Sequence, residues 1–293
     1  MQNNAQTEAK KISKRKKGVI KAKSEFFRTA RYGLTLQEHR IIYYAILEGQ
    51  QNGTPFAPVT LSVKNFKELF DLKGDSSYTV LRKLSQKLVG RSVEIAFKDE
   101  NGLHFRQAAW LSDITYHIKE GTVTITPNPS LKPFFEGKPF TTTEYYFLIK
   151  FTSAYAERLY EILKSFNHKT LIDFEPNDLA NRLKAPPSCR GRYNNLFARV
   201  LAPAIKDINE WTDLDVDIRE KRGQYNKVEK VIFSLRQKNV PKLAERVERG
   251  EFSPPLSESE QESFMQELLG EDVIPGQLSL LDKAVFTRQS PTT

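Results

Sequence analysis

The sequence contains a single cysteine, Cys189, among its 293 residues. One cysteine excludes an internal disulfide and a cysteine-rich zinc site, and it fits a reducing cytoplasm, where we expect the protein to act. No stretch of about 18 uncharged apolar residues occurs, so no membrane span is expected. The basic N-terminus is not followed by an apolar run after Lys17, which argues against a secretory signal.

The motifs of common nucleotide-dependent enzymes are also missing. Gly137-Lys138 is followed by Pro139, and no Gly-x-x-x-x-Gly-Lys-Ser/Thr phosphate loop occurs, so ATP hydrolysis is not expected. Tyr145 and Tyr146 are interpreted as strand packing rather than as nucleophiles.

Histidine is scarce and scattered. None of the four histidines forms the His-x-His pair that holds a metal beside a catalytic tyrosine in DNA-nicking enzymes. His39 and His168 are interpreted as ordinary helix or loop residues. We therefore expect no enzyme activity, no metal site and no cofactor.

Positive charge is abundant but unevenly spread, with a formal net charge of +9. Residues 1–31 hold ten Lys and Arg against Glu8 and Glu25, and such a self-repelling block predicts a disordered basic arm. Residues 241–293 hold five basic against ten acidic residues and predict a flexible acidic tail. The basic balance favours a polyanionic partner, either nucleic acid or an anionic membrane.

Residues 32–150 predict a domain that mixes helices and strands. Thr35 and Glu38 form a capping box that opens an amphipathic helix. Two more helices are predicted over Ser62–Phe70 and Ser76–Leu88. Four strand-like segments follow. They are Ser92–Phe97, Leu103–Leu111, Thr115–Ile118 and Val123–Thr126.

Residues 151–240 predict the order helix, strand, helix, turn, helix and hairpin, which is a helix-turn-helix with a wing. Ser153 caps the first helix, and Pro176 opens the second. The later elements are predicted at Thr170–Phe174, Pro176–Leu183, Arg192–Glu210, Asp213–Arg219 and Val228–Leu235. Both halves fit this pattern, so the sequence predicts an α+β fold of two tandem winged helices between a disordered arm and an acidic tail.

The helix predicted from Arg192 has an apolar stripe and a basic face. The stripe comprises Tyr193, Phe197, Val200, Leu201, Ile205 and Ile208. The opposite strip carries Arg192, Asn195, Arg199 and Lys206, and residues 176–206 contain six basic residues against one acid. Arg can bond a guanine edge through two hydrogen bonds, and Asn suits adenine. Because Pro203 predicts a kink, base reading is assigned to Arg192, Asn195 and Arg199.

A second set of basic residues is predicted to contact the DNA backbone. The set comprises Lys184 and Arg190 in the turn, Lys206 on the helix, and Lys221, Arg222 and Lys227 around the wing tip. The alternative is a solvated basic face that only keeps the protein in solution.

Four sequence segments occur in a fixed order over about residues 30–238. They are Tyr32-Gly33-Leu34-Thr35-Leu36-Gln37-Glu38-His39-Arg40-Ile41, then Arg158-Leu159-Tyr160-Glu161-Ile162-Leu163-Lys164, then Tyr193 with Phe197, then Arg199-Val200-Leu201-Ala202-Pro203-Ala204-Ile205-Lys206-Asp207-Ile208-Asn209. The ordered set resembles the iteron-binding plasmid replication initiators, which have twin winged-helix domains. The basic arm and the acidic tail lie outside the resemblance.

The resemblance implies a non-enzymatic initiator. The C-terminal winged helix would read each double-stranded origin repeat (iteron), and monomers would promote opening of a nearby AT-rich stretch. The N-terminal winged helix would support dimers, which repress the initiator's own gene or couple origins. In monomers it would also touch DNA, with Arg82, Lys83 and Lys87 as candidate contacts. A solvated face of a dimerisation domain is the alternative for these three residues.

The tail contains the pentapeptide Gln277-Leu278-Ser279-Leu280-Leu281. It resembles the bacterial sliding-clamp-binding motif Gln-Leu-Ser/Asp-Leu-Phe, with Leu281 in place of Phe. A disordered segment that orders on binding can place two apolar side chains in a pocket. The motif therefore predicts recruitment of the host clamp and replicative helicase machinery. An amphipathic turn that packs on the body of the protein is the alternative.

Two other functions remain compatible with the sequence. A winged-helix transcriptional regulator with no replication role would use the same DNA-binding chemistry. A DNA nicking or joining enzyme is a candidate from another class, although the sequence lacks its usual metal-binding pair.

Overall fold

The computed structural model describes residues 18–64, 66, 85–166 and 168–238. The predictions for residues 1–17 and for the acidic tail lie outside these ranges. Most of the two helices predicted over Ser62–Phe70 and Ser76–Leu88 also lies outside them. Of these helices, the structure describes helical residues 63–64, 66 and 85–89, whereas Ser62 ends a strand.

The basic N-terminal segment is folded from residue 19 onward. Strand β1, Val19–Lys23, and helix α1, Ser24–Thr29, occupy part of the region that was predicted to be disordered. That prediction was wrong here because Ile20 and Ala22 alternate with outward-facing residues, and Phe26 and Phe27 are fully buried. A net-charge count cannot detect this alternation.

Helix α2, Leu36–Gln51, begins at the predicted capping box. The Glu38 backbone N–H donates to Thr35 Oγ1 at 3.3 Å, and the Thr35 N–H donates to Glu38 Oε2 at 2.9 Å. The helix is buried on nearly every side, including the polar residues Glu38, His39 and Arg40. It therefore forms the central element of the first domain.

Within the described residues the first domain has six further strands; the middle four lie over the predicted segments with shifted bounds, and the first and last were not predicted. They are β2 at Val59–Ser62, β3 at Ser92–Asp99, β4 at Gly102–Ala109, β5 at Leu111–His117, β6 at Thr122–Pro127 and β7 at Phe140–Glu144. Strands β2, β6 and β5 form one antiparallel sheet in that order, β3 pairs with β4, and β1 pairs with β7. Trp110 is fully buried where β4 passes into β5.

Two short helices frame β7: α3 at Lys132–Phe135 and α4 at Tyr145–Leu148. Tyr145 and Tyr146 were predicted to pack in a strand, and this was wrong, because they open α4 and are buried there. The Tyr145 hydroxyl donates to the carbonyl of Arg40 at 3.0 Å. Burial holds the pKa of this hydroxyl well above its usual value, which fits a structural residue.

The second domain has the predicted order of elements. They are α5 at Ala154–Lys164, β8 at Leu171–Phe174, α6 at Pro176–Arg182, α7 at Tyr193–Leu196, α8 at Ala202–Trp211, β9 at Leu214–Arg222 and β10 at Val228–Gln237. The sheet order is β8-β10-β9, all antiparallel. Ser153 caps α5 by accepting from the Tyr155 N–H. The predicted α+β fold of two tandem winged helices is confirmed.

The helix predicted over Arg192–Glu210 is not uniform. A π-helical segment, Phe197–Leu201, separates α7 from α8. Pro203 then lies in the first turn of α8, and it has no N–H to donate to the carbonyl four residues earlier. The wider turn of a π segment is thus the local adjustment that lets the helical run continue past this proline.

A buried ionic cluster joins α2 to α5. His39 Nδ1 lies 2.6 Å from Glu157 Oε2, and His39 Nε2 lies 3.2 Å from Glu161 Oε1. Arg158 Nη1 also contacts Glu161 Oε2 at 3.2 Å. His39 lies in a helix, as interpreted, and its partners lie 118 and more residues away in the sequence, which the sequence could not indicate. His168 is an exposed residue, as that interpretation implied.

Candidate nucleic-acid interface

The turn between α6 and α7 is held by backbone and amide contacts. The Ala185 N–H donates to the Ala180 carbonyl at 2.8 Å, and the Gly191 N–H donates to Asn177 Oδ1 at 2.8 Å. Gly191 has a φ of 69°, a conformation that glycine adopts without strain. Cys189, fully buried, lies in the same turn and serves as packing there. The turn therefore fixes the direction in which α7 starts.

The three predicted base-reading residues differ in exposure. Arg192 and Arg199 are exposed, whereas Asn195 is partly buried. The Asn195 amide Nδ2 donates to the Ser188 carbonyl at 2.8 Å, so one of its donors braces the turn. Arg192 precedes α7 as its N-cap residue, and Arg199 lies on the π segment.

The π segment changes the helical arrangement that a uniform wheel predicts. Leu196, Val200, Leu201, Ala204 and Ile208 are buried, while Tyr193, Phe197 and Ile205 are partly buried. The apolar stripe therefore agrees with the prediction, with Leu196 and Ala204 added. Lys206 is exposed but follows the π segment, so it is rotated relative to the strip formed by Arg192 and Arg199.

Several predicted DNA contacts already have protein partners. Lys184 Nζ lies 3.5 Å from Glu94 Oε2 of the first domain, and Arg190 Nε donates to the Ala185 carbonyl at 3.3 Å. Arg222 forms an ion pair with Glu220. These three cations are therefore partly committed within the protein.

The other five predicted cations of the second domain make no ion pair within the part of the chain that the structure describes. They are Arg192, Arg199, Lys206, Lys221 and Lys227, and all five are exposed. A solvated helix face normally mixes acidic and basic residues at i,i+4 spacing. Arg192 and Arg199 have no acidic residue four positions away, whereas Lys206 has Glu210, so the uncompensated charge that attracts a polyanion lies around Arg192 and Arg199.

A groove of about 920 Å³ lies between the start of α7 and the wing. Arg192 and Asn195 line one side of it, and Arg222 and Lys227 line the wing side. Arg199 and Lys206 lie further along the helix. The groove therefore brings predicted base-reading and backbone-contacting residues to one face of the domain.

Tyr193, in the first turn of α7, lies near Glu220 of β9. Burial, and then the nearby Glu220 carboxylate, raise the pKa of Tyr193 to about 12. Glu220 also pairs with Arg222, so one carboxylate lies close to both the start of α7 and the end of β9.

Sequence reasoning missed two residues on this face. Lys230, which lines the groove, pairs with Asp173 at 2.6 Å. Tyr225 stands fully exposed at the wing tip. The available signal for Tyr225 was an aromatic residue between Gly223 and Lys227 in a basic hairpin.

The remaining predicted contacts lie largely outside the described residues. Arg82, Lys83 and the pentapeptide Gln277–Leu281 are not described, and Lys87 is exposed on the helical residues 85–89. In residues 18–64, 66, 85–166 and 168–238, no group of three or more His, Cys, Asp or Glu residues could hold a metal ion. Over the same ranges, no helix is long and apolar enough to cross a membrane.

Comparisons with protein families match both domains. The model described as initiator replication protein, WH1, matches residues 19–164. The model described as initiator Rep protein, WH2, matches residues 176–235. Together the two matches cover well over half of the chain and include the turn, α7, the π segment, α8 and the wing.

The fold is also similar to solved structures. A crystal structure of the Pi initiator protein in complex with iteron DNA aligns with a TM-score of 0.55 and 17% identity, covering 77% of this chain and 99% of that chain. The WH1 domain of MSBI1.176, a replication protein isolated from a multiple sclerosis patient, aligns with a TM-score of 0.30 and 26% identity. That second alignment covers 35% of this chain and 81% of the domain. No curated protein sequence matches this chain.

Proposed function

Since this chain belongs to the initiator replication protein family through both of its winged-helix domains, we propose that it binds repeated sites in plasmid origin DNA and initiates replication there. The observation that carries the proposal is the row of exposed cations beside the groove, of which Arg192, Arg199 and Lys227 have no ion pair among the described residues. The structural relative in complex with iteron DNA supports the same reading of the fold.

In this proposal α7 and the π segment enter the major groove. Arg192 and Arg199 each contact a base edge, since a guanidinium matches the two acceptors of guanine. Asn195 contributes a base contact with the amide donor that does not bind Ser188, and it also keeps the turn in shape. The phosphate contacts come from Lys184, Arg190, Lys206, Lys221, Arg222 and Lys227.

The finer parts of the function are proposed on the family resemblance. The first domain supports dimers, and Arg82, Lys83 and Lys87 add DNA contacts in the monomer. Dimers repress the initiator's own gene. The protein does no chemistry on the DNA and acts in the cytoplasm. Monomers promote opening of the AT-rich stretch, and the host supplies the helicase activity.

The pentapeptide in the tail is proposed to recruit the host sliding clamp. We expect the full chain to retain the clamp in a pull-down, and the double variant Gln277→Ala, Leu280→Ala to lose it. Retention of the clamp by the double variant would show that the pentapeptide is not the binding site.

Equilibrium binding tests the proposal. A fluorescent duplex from the plasmid origin is titrated with the full chain in the presence of excess random duplex. We expect specific binding that is at least about 10³-fold tighter than binding to random DNA. Equal affinity for both duplexes would contradict the proposal. In a footprint of the origin, protection of one palindrome in place of repeats would favour a transcriptional regulator.

A further inference from the structure

The tip of the wing presents one aromatic side chain to solvent. Tyr225 is 100% exposed, the highest value among the large exposed apolar and aromatic residues of the described chain. Its φ is 54°, and that of the next residue, Asn226, is 59°. Hairpin tips that need two successive positive φ angles usually contain Asn and Gly. A tyrosine at this position is therefore both strained and without contacts that would offset the strain.

The loop that carries Tyr225 is well braced. The Gly223 N–H donates to the Lys227 carbonyl at 2.9 Å, and the Lys227 N–H donates to the Gln224 carbonyl at 3.2 Å. Arg222 Nη1 donates to the Asn226 carbonyl at 3.1 Å. A Cβ at Gly223 would lie 1.8 Å from Glu229 Oε1, so a larger residue there would have to displace the Glu229 side chain. The ring is thus held outward by a defined backbone.

The surroundings of Tyr225 indicate what the ring meets. Lys221, Arg222 and Lys227 flank the tip, and Arg222, Asn226 and Lys227 line the groove whose other side is the start of α7. The wing tip and the helix therefore face the same object. When a recognition helix lies in the major groove, a segment that extends beside it can reach the adjacent minor groove, as the N-terminal arm of homeodomains does.

We propose that Tyr225 enters this minor groove, where its ring packs on deoxyribose and its hydroxyl donates to the N3 or O2 acceptors of an A·T pair. This inference rests on the proposed function. The flanking cations strengthen the preference, because a narrow A·T minor groove has an enhanced negative potential that attracts basic side chains. The minor groove distinguishes A·T from G·C pairs, so Tyr225 adds a sequence preference outside the bases that α7 reads.

Footprinting of three variants tests the role of Tyr225. The probe is a duplex that the wild-type full chain selects from a random pool. Hydroxyl radicals report deoxyribose exposure in the minor groove, and dimethyl sulfate reports guanine N7 in the major groove. Tyr225→Ala removes the ring, Tyr225→Phe removes only the hydroxyl, and Gln224→Ala is the control from the same loop.

We expect Tyr225→Ala to lose one cluster of protected sugars and to bind the selected duplex about tenfold more weakly, the effect of truncating one well-packed interface aromatic. Guanine protection should remain unchanged. Tyr225→Phe should keep the sugar protection and lose the preference for A·T over G·C at that step. Gln224→Ala should match the wild type.

Unchanged sugar protection and affinity in Tyr225→Ala would overturn the inference while the proposed function stands. If Tyr225→Ala weakened binding only to single-stranded oligonucleotides and not to the duplex, the inference would be overturned as well. If the wild type selects no sequence from the pool, the proposed function fails together with the inference.

Discussion

Arg199 is the residue on which the proposed base reading depends most directly. We predict that Arg199→Ala weakens binding to the specific duplex by about 1–3 kcal/mol and broadens the base preference. Arg199→Lys should recover little, because an ammonium cannot form the two parallel hydrogen bonds of a guanidinium. Competition binding with specific and random duplexes measures both effects.

The control for Arg199 is Arg236→Ala at the opposite end of the wing. Arg236 is exposed and pairs with Asp215 at 2.7 Å, away from the groove. We expect this variant to bind both duplexes as the wild type does. Equal losses of Arg199→Ala on specific and random DNA would show that Arg199 contacts the phosphate backbone rather than a base.

Lys221 and Lys227 belong to a different class of contact. Each is exposed and makes no ion pair among the described residues, so each can neutralise a phosphate. We predict that replacing either by Ala weakens binding to all sequences and lowers the slope of log affinity against log salt by about one unit. A titration series in potassium chloride measures this slope, and a loss of discrimination with an unchanged slope would contradict the assignment.

At the scale of elements, the π segment sets the angular position of Arg199. Pro203 cannot donate to the carbonyl four residues earlier, and the π segment ends immediately before α8. Pro203→Ala restores the donor and lets a regular α-helix extend through this region. We predict that the change alters the angle between Arg192 and Arg199 around the helix axis and lowers specific affinity roughly tenfold, the loss of one base contact.

Binding to random DNA serves as the control for Pro203→Ala, since the net charge is unchanged. We expect nonspecific affinity to stay at the wild-type value. Helix content measured by circular dichroism should not fall. Wild-type affinity for the specific duplex would show that the π segment has no part in placing Arg199.

The elements that sequence reasoning could predict are those with local signals. The capping box at Thr35 and Glu38, the proline that opens α6, and the hairpin of β9 and β10 all depend on residues close together in the chain. The strand β1 was missed because its charge hides the alternation of Ile20 and Ala22. The π segment was missed because a wheel with a constant angle assumes a uniform helix.

The same limit applies to the candidate site. Arg192, Arg199 and Lys227 were identified from the charge pattern, and the structure places them on an exposed surface. The ion pair of Lys184 with Glu94 could not be predicted, because the partner lies in the other domain. The exposure of Tyr225 also depends on how the hairpin tip folds.

At the scale of the whole molecule, α5 connects the two winged helices. On one side Arg158 donates to the Phe27 carbonyl at 2.9 Å, and Glu157 and Glu161 bind His39 of α2. On the other side the Tyr160 hydroxyl donates to Asp213 Oδ1 at 2.9 Å, at the start of the wing. The position of the proposed DNA-binding face relative to the first domain therefore depends on this helix.

The charge of His39 is central to this junction. Burial alone would lower its pKa, but Glu157 and Glu161 raise it to about 9. His39→Gln leaves two buried carboxylates with less positive charge, so we predict a loss of about 3–5 kcal/mol in the free energy of unfolding. His168→Gln is the control, because His168 is exposed and its replacement should change stability by less than about 0.5 kcal/mol. Urea denaturation measures both values.

The pKa of His39 also predicts a dependence on pH. A histidine whose pKa is raised from 6.5 to about 9 on folding adds stability that is fully present below pH 6.5 and lost as the pH rises through 9. The free energy of unfolding of the wild type should therefore fall over this range. The fall should be smaller in His39→Gln, and an identical fall in both proteins would show that His39 is not the titrating group.

The central claim is that the second domain reads repeated sites in an origin. Footprinting the full chain on the DNA around its own gene tests this claim most directly. We predict protected intervals that repeat at a constant spacing beside an AT-rich stretch. Arg199→Ala should lose the specific protection of every interval. A single protected palindrome, or protection that Arg199→Ala leaves intact, would contradict the claim.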